Sequence, residues 1–434
     1  MSASPRFRAS RGLVSQLGGL AIVGSMLWAC SGDQAEARSQ ATRIALAPDS
    51  ATQAAAAIDA FGFDLFRSDL TSGGNAVVSP TSIVLALSMA QAGARGDTAA
   101  QMDAVLHSAL GAGAGNGINS LDQDLAQLSG TFKDAKGTPQ QVVVRIANSP
   151  FAQSGLQLEQ PLLDTLASKY GAGLRLADFE NDPTGACKLI DGWVSDQTGG
   201  RIPQLLDRVD PQTRLVLVNA IYLKAAWQIP FDATATKDLP FTRLDGTQVS
   251  VPTMGLQLSE GRYASGRGWQ AVDLPYADGS LAYDEGSLSM TIVLPDNMAT
   301  FKAGLDAAAF SQIADGMQST NVSLALPRFK IETKTDLAAA LTRMGMPLAF
   351  DPTGADFSGI TKQNRLHISK VIHQANVSID EKGTEASAAT AVVFPLSAAG
   401  REATFHVDRP FMFAVRDTRT GAILFLGRVA DPSA

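Results

Sequence analysis

Cysteine is almost missing from this chain of 434 residues: there are two, Cys30 and Cys187, and histidine occurs only four times. No Cys, His and Asp set stands at metal-ligand spacing, so neither a metal nor another cofactor is expected. There is no long Lys/Arg run and the net charge is −7. That argues against nucleic acid as a partner and against activation by a polyanion on a basic helix. After residue 30 no apolar stretch is long enough to cross a membrane. Hydrolase signatures are missing too, with no G-x-S-x-G elbow in a strand–turn–helix context and no H-E-x-x-H helix. An enzyme is therefore not expected. What is present is an ordinary globular composition, 45% hydrophobic and 18% charged, with room for a large core.

The first thirty residues stand apart. Arg6, Arg8 and Arg11 precede an apolar run, LGGLAIVGSMLWAC (residues 17–30), with no acid before the cysteine. A charged start, a short apolar middle and a small residue before the cut describe an export signal over residues 1–30. The ending LWAC puts Cys30 where a lipid-acceptor cysteine stands, with cleavage before it and a membrane tether through the lipid. Trp28 is unusual inside that box, so ordinary secretion stays open as the other reading. Loss of the segment removes three arginines and no acid, taking the charge from −7 to −10. With Cys30 lipidated, Cys187 has no disulfide partner and reads as a small buried hydrophobe. Residues 31–52 are polar, Ala-rich and aperiodic, which suggests a flexible tether.

From residue 53 to 434 no second linker, repeat or low-complexity tract interrupts the chain, so one large domain is expected. Helical spacing dominates first. Ile58, Phe61, Leu65 and Leu70 recur over residues 54–70, and SPTSIVLALSMAQAGA (residues 79–94) opens with a Ser-Pro helix start. Strand patterns follow at residues 214–227, 288–296, 322–332, 376–380, 404–417 and 422–429. Helices first and mixed sheets afterwards make the fold class α+β.

One late stretch is peculiar. In EKGTEASAATAVVF (residues 381–394) eight of fourteen residues are Ala, Gly, Ser or Thr, six of them consecutive, yet it ends like a strand. A flexible Ala/Ser linker has that composition. Here, however, the stretch lies between a strand pattern, NVSID, and a second, FHVDRPF.

Several segments in order resemble the serpin family over essentially all of residues 53–434. NAVVSPTSIVLALSMAQAGARGDTAAQM is similar to the family's early helix and following turn. WVSDQTGGRIPQLL with LVLVNAIYLKAAWQIPF matches a second signature, and FHVDRPFMFAVRDTRTGAILFLGRVADP matches the C-terminal strands. The small-residue stretch looks like the proximal hinge of a reactive loop, about residues 381–403. The resemblance implies three β-sheets, about nine helices and an exposed reactive-centre loop. It implies a monomer that traps serine proteases as covalent acyl complexes by inserting the cleaved loop into the central sheet.

The residues suit that task. A loop that becomes a central strand must present alternate side chains to a packed core. Glu385 is costly inside, so it should face solvent, which turns Thr384, Ala386, Ala388, Thr390, Val392 and Phe394 inward. The hinge is thus read as Glu381, Gly383, Thr384, Glu385, Ala386, Ser387, Ala388, Ala389 and Thr390. The first four inward residues are small enough to slip between strands. Gly383 tolerates the required swing, and Pro395 marks where insertion weakens. Fourteen inserted residues would span roughly 45 Å.

Counting along the loop at the family's spacing from Glu381 implies a reactive bond at Ser397–Ala398. Counting back from Pro410 gives Ala399–Gly400. Either places a small residue on the acyl side and implies an elastase-like or subtilisin-like target. The resemblance also implies a polar shutter of Ser79, Ser82, Asn219 and His373 under the central sheet, and Trp227 at the breach where insertion starts. The alternative that keeps the fold but not the mechanism is a non-inhibitory serpin acting as a binding protein or chaperone, whose hinge usually carries bulky, charged or proline residues that this one lacks.

Overall fold

Pro48 starts the first helix six residues before the apolar spacing does. Proline is pre-set for a first helical position, and Ala51, Ala54 and Ala55 extend the buried face formed by Ile58, Phe61 and Leu65. The computed structural model describes residues 36–68, 73–108, 114–277, 287–363, 365–384 and 402–434. In chain order the first half runs β1 (Glu36–Ala37), α1 (Pro48–Arg67), β2 (Ala76–Val78), α2 (Pro80–Gln91), α3 (Gly96–Val105), α4 (Ala114–Ala126), β3 (Gly130–Lys133), β4 (Pro139–Gln153), α5 (Gln160–Tyr170), β5 (Leu174–Ala177), α6 (Pro183–Gln197) and β6 (Leu215–Ala226). Next come β7 (Lys237–Thr242), β8 (Gln248–Gly266), β9 (Trp269–Pro275), β10 (Leu288–Pro295), α7 (Met298–Ala303), α8 (Ala307–Asp315), β11 (Gln318–Pro327), β12 (Phe329–Asp336) and α9 (Ala338–Met344). The chain closes with β13 (Lys370–Asp380), β14 (Gly383–Thr384), β15 (Glu402–His406), β16 (Phe411–Asp417) and β17 (Ile423–Val429).

The described residues contain nine α-helices and mixed sheets, the α+β class expected. The central sheet has the order β1-β5-β4-β6-β14-β13-β12, with β3 paired to β4. The second runs β15-β11-β8-β9-β10-β16-β17-β2, with β7 paired to β8. Of the three sheets implied, two are therefore joined into one network. The junction is β8, which pairs with β7 over Gln248–Thr253, with β11 over Thr253–Tyr263 and with β9 over Arg262–Gly266. It changes partners beside a register shift in β11 and at Glu260, whose φ is 61°. A bulge of that kind bends a strand and re-aims it.

The run at residues 322–332 is not one strand. It divides at Arg328 into β11 and β12, which lie in different sheets. Pro327 cannot donate to a ladder, and the Arg328 N–H instead reaches the Pro252 carbonyl at 2.9 Å.

The tether expected over residues 31–52 ends early. β1 pairs with β5 at the edge of the central sheet. Arg43 donates to Asn119 at 2.9 Å and pairs with Asp122 at 2.5 Å. The Ile44 N–H donates to the Ser168 carbonyl at 2.8 Å, and its own carbonyl accepts from the Asn119 amide at 2.9 Å. Residues 36–47 thus find their backbone partners on α4, α5 and β5, and the satisfied backbone holds them against the body.

α6 crosses the outer face of the central sheet. Ile190, Trp193 and Val194 pack on Phe151, Val216, Val218 and Ile372, with Trp193 edge-on to Phe151 at 5.5 Å. Cys187 lies partly buried on that helix. On the inner face α1, α2 and the second sheet form a continuous core with Leu217, Ile221, Val371 and Ala375.

Candidate functional site at the opening of the central sheet

β6 and β13 run parallel and pair directly from Val216↔Lys370 to Ile221↔Ala375. Their direct pairing ends there. Four positions higher, β14 enters between them, antiparallel to both, with Thr384 opposite Ala225 and Ile379 and Gly383 opposite Ala226 and Asp380. The sheet is zipped shut at one end and wedged by two residues of the hinge at the other. After Thr384 the chain continues through residues 385–401 to β15, which joins the second sheet beside β11.

The wedge is tightly built. Thr384 is 1% exposed, and its hydroxyl shares a 2.8 Å hydrogen bond with that of Tyr276. Tyr276 stacks on Trp227 with centroids 4.6 Å apart. The Trp227 indole donates to the Asp380 carbonyl and its backbone N–H to the Lys382 carbonyl, both at 2.9 Å. Gly383 has φ 138°, and a Cβ there would lie 2.1 Å from the Ala225 carbonyl oxygen. Glycine is therefore required at this position twice over, by conformation and by space.

Glu381 lies in the turn between β13 and β14, with its carboxylate accepting from Arg328 Nε at 2.7 Å and from the Thr236 hydroxyl at 2.5 Å. Burial pushes its pKa up, but the hydrogen bonds from Arg328 and Thr236 outweigh burial and hold it below the usual carboxylate range.

Under the zipped part lies a polar cluster contributed by four segments, the start of α2, β4, β6 and β13. Ser79 caps α2, its hydroxyl accepting from the Ser82 N–H at 3.2 Å. The Ser79 N–H donates to His373 Nε2 at 3.1 Å, so the imidazole carries its proton on Nδ1, which faces Asn219 Oδ1. Ser82 donates to Asn148 Oδ1 at 2.9 Å. All four sequence-read residues are fully buried, and burial pushes His373 down to about 3, so it stays neutral. The amide nitrogens of Asn219 and Asn148 lack partners.

The structure thus brings Ser79, Ser82, Asn219 and His373 together, and places Trp227 beside Gly383 and Thr384. Glu385, Ala386, Ser387, Ala388, Ala389 and Thr390, both reactive-bond pairs at Ser397–Ala398 and Ala399–Gly400, and Cys30 lie outside the described residues. Sequence reasoning missed Tyr276, Arg328, Thr236 and Asn148. None of them left a distinct trace: Asn148, for one, stands in β4 next to Ser149 and three residues after Arg145. Among the described residues no group of His, Cys, Asp and Glu could hold a metal.

A family profile described as "Serpin (serine protease inhibitor)" matches residues 56–432. A protein of Thermococcus kodakarensis described as serpin-like is 36% identical over 388 residues, covering 87% of this chain and 85% of its own. The leukocyte elastase inhibitor of Bos taurus is 36% identical over 393 residues, covering 88% and 100%. Among solved structures, native tengpin, a thermophilic serpin, superposes with a TM-score of 0.78 at 26% identity, covering 90% of this chain and 97% of its own. Thyroxine-binding globulin with thyroxine gives 0.74 at 28% identity, covering 87% and 99%.

Proposed function

This chain belongs to the serpin family, and from that premise we propose that it is a suicide-substrate inhibitor of serine endopeptidases and not itself an enzyme. The observation that carries the reading is the wedge: Thr384 is already seated between β6 and β13, whose direct pairing stops at Ala375.

In the proposed sequence, the protease serine Oγ attacks a loop carbonyl, forming an acyl ester as the peptide C–N bond breaks. The new amine leaves with the C-terminal part, which stays in the second sheet as β15. The acyl side, no longer held at both ends, extends β14 downward and unzips β6 from β13. Small inward residues let it enter without overpacking. The driving force is the burial and backbone pairing gained by a sheet that is incomplete before cleavage, so the inhibitory form is kinetically trapped.

Ser397 on the acyl side favours an elastase-like or subtilisin-like protease, and the relatives described as leukocyte elastase inhibitors support the first. Export, with Cys30 as lipid-attachment site or with plain secretion, belongs to the same proposal.

The test is incubation of mature protein with elastase, subtilisin, chymotrypsin and trypsin, read on a denaturing gel with mass spectrometry of the released peptide. A denaturant-resistant complex and a peptide beginning at Ala398 are expected. Clean cleavage without complex for every protease would put the binding-protein reading first.

A further inference from the structure

At the start of β9, Trp269 lines a cavity of about 690 Å³. Tyr276, which touches the hinge, follows the other end of the same strand seven steps on, so about 23 Å of chain separates the two. Local features build the cavity. The tight turn from β8 to β9 holds Gly268 at φ 81°. Gly266 lets the Trp269 indole lie across the backbone, since a Cβ there would sit 2.5 Å from the ring. The Asp296 N–H donates to the Gly268 carbonyl at 2.8 Å, and Arg409 reaches Asp296 Oδ1 at 3.1 Å, which fixes the end of β10 beside that turn. Asn297 and Asp306 then cap α7 and α8, accepting from the Thr300 N–H at 2.9 Å and the Ala309 N–H at 2.8 Å. The two helices supply the rest of the lining.

That lining divides by burial. Leu305 and Ile313 are buried and Trp269 and Phe301 half-buried, which makes an apolar floor with a flat ring in it. Arg267, Asp296, Asn297, Thr300 and Gln312 are exposed around it. Among the described residues, the Arg267 guanidinium, the Thr300 hydroxyl and the Gln312 amide make no hydrogen bond or ion pair, and the Trp269 indole N–H has no acceptor. Asn297 and Asp296 each engage only Oδ1, leaving Nδ2 of the one and Oδ2 of the other available. Charge is balanced here, with Arg267 and Arg409 set against Asp296 and Asp408, both of which Arg409 contacts.

A ligand for this lining must offer an apolar face to a flat ring and uncharged polar groups to a guanidinium, a carboxylate and two amides. A wholly apolar molecule would strip water from the rim and return no hydrogen bonds. An anion gains from Arg267 but meets Asp296, and a cation meets the reverse. A sugar ring satisfies both demands, with C–H groups on its faces and hydroxyls around its edge, each both donor and acceptor. We propose that this cavity binds a short neutral saccharide, with Trp269 as the platform for one ring and Arg267, Asp296, Asn297 and Gln312 as the groups that meet its hydroxyls. Its volume suits one or two sugar rings. The site stands apart from the hinge and does not rest on the insertion reading.

The experiment titrates the purified protein with maltose, cellobiose and N,N′-diacetylchitobiose, followed by tryptophan fluorescence and by saturation-transfer NMR. At least one should bind with a dissociation constant of about 0.1–1 mM. Arg267→Ala and Gln312→Ala should each weaken that binding by about three- to tenfold. Both side chains are exposed and unpartnered, so the melting temperatures of these variants should match wild type. Ala309→Phe, which puts a ring into the cavity, should abolish binding, and Trp269→Phe, which keeps a smaller ring, should weaken it. Maltohexaose and cellohexaose then separate the sources: a hexamer that binds like its disaccharide marks a site for part of a glycan chain, and one that does not marks a site for the free sugar. Either result supports the proposal. No binding of any of the three disaccharides at about 10 mM overturns it. So does binding that the Arg267, Gln312 and Ala309 variants leave unchanged, which would place the sugar elsewhere. Binding of benzoate or indole-3-acetate in place of every sugar would assign the cavity to aromatic anions and overturn the saccharide reading as well.

Discussion

The hydroxyls of Tyr276 and Thr384 lie 2.8 Å apart in a fully buried contact that ties the second sheet to the first seated residue of the hinge. Tyr276 is held from three sides. It stacks on Trp227, forms a bridge with it, and donates its backbone N–H to Leu288 at 3.0 Å. Tyr276→Phe leaves the Thr384 hydroxyl buried without its partner, an expected loss of about 1–2 kcal/mol in urea unfolding. Thr384→Arg cannot keep a charge in this position. It is expected to leave the protein folded, to abolish the stable protease complex and to yield cleaved inhibitor only, read on a denaturing gel.

Gly383→Ala meets both obstacles described for that position. The strained conformation alone costs about 1–3 kcal/mol, and the 2.1 Å approach to the Ala225 carbonyl adds to it. The expected response is withdrawal of β14 from the sheet. Trp227 would then lose its cover, so its fluorescence should shift to the red. Limited proteolysis should cut closer to Asp380 than in wild type.

Arg328→Ala removes the charged partner of Glu381, whose carboxylate is 7% exposed while the Arg328 side chain is 44% exposed. Thr236 remains, but one hydroxyl is a weak substitute for a guanidinium. The turn leading into β14 should loosen, and the unpaired strand edges below it are open to a neighbouring chain. Faster formation of oligomers on warming, followed by size-exclusion chromatography, is the expected result. Arg328→Lys should restore part of the resistance.

Acid should weaken the fold through His373. Its folded pKa is about 3, against an ordinary 6.5. Between those values the unfolded chain binds a proton that the folded chain refuses, so stability falls as pH drops from about 6.5 towards 3. The loss contributed by this group is at most about 4–5 kcal/mol. Glu381, with its pKa lowered, adds a loss in the same direction, but only below the ordinary carboxylate range. Urea unfolding of wild type and His373→Gln at pH 7, 6 and 5 separates the two. The variant should be less stable at pH 7, and the difference from wild type should shrink towards pH 5, because Asp59 and His367, whose pKa values are also shifted, are common to both proteins.

Of the hinge reading, Glu381 to Thr384 fall within the described residues, and Gly383 was legible there because its constraint, a backbone conformation and a close approach that only glycine accepts, is local. The helices were legible in kind but not in extent: α1 begins at Pro48 because buried alanines carry no strong apolar period. The same weakness made residues 36–47 look like a tether, although their backbone bonds and Arg43 hold them to α4, α5 and β5. Division of the run at Arg328 was hidden because both halves alternate correctly, and only pairing to different sheets separates them.

What the sequence by itself determined is the alternation, the glycine of the turn into β14 and the capped start of α2 at Ser79, each set by steric and hydrogen-bonding rules that act over a few residues. The tertiary structure alone decided which partners meet across long separations. His373 finds the backbone of Ser79 and the amide of Asn219, Thr384 finds Tyr276, and Glu381 finds Arg328 and Thr236. No local period encodes such contacts. They exist because two sheets close over α2, exclude water, and make every enclosed polar atom costly until another segment supplies its partner.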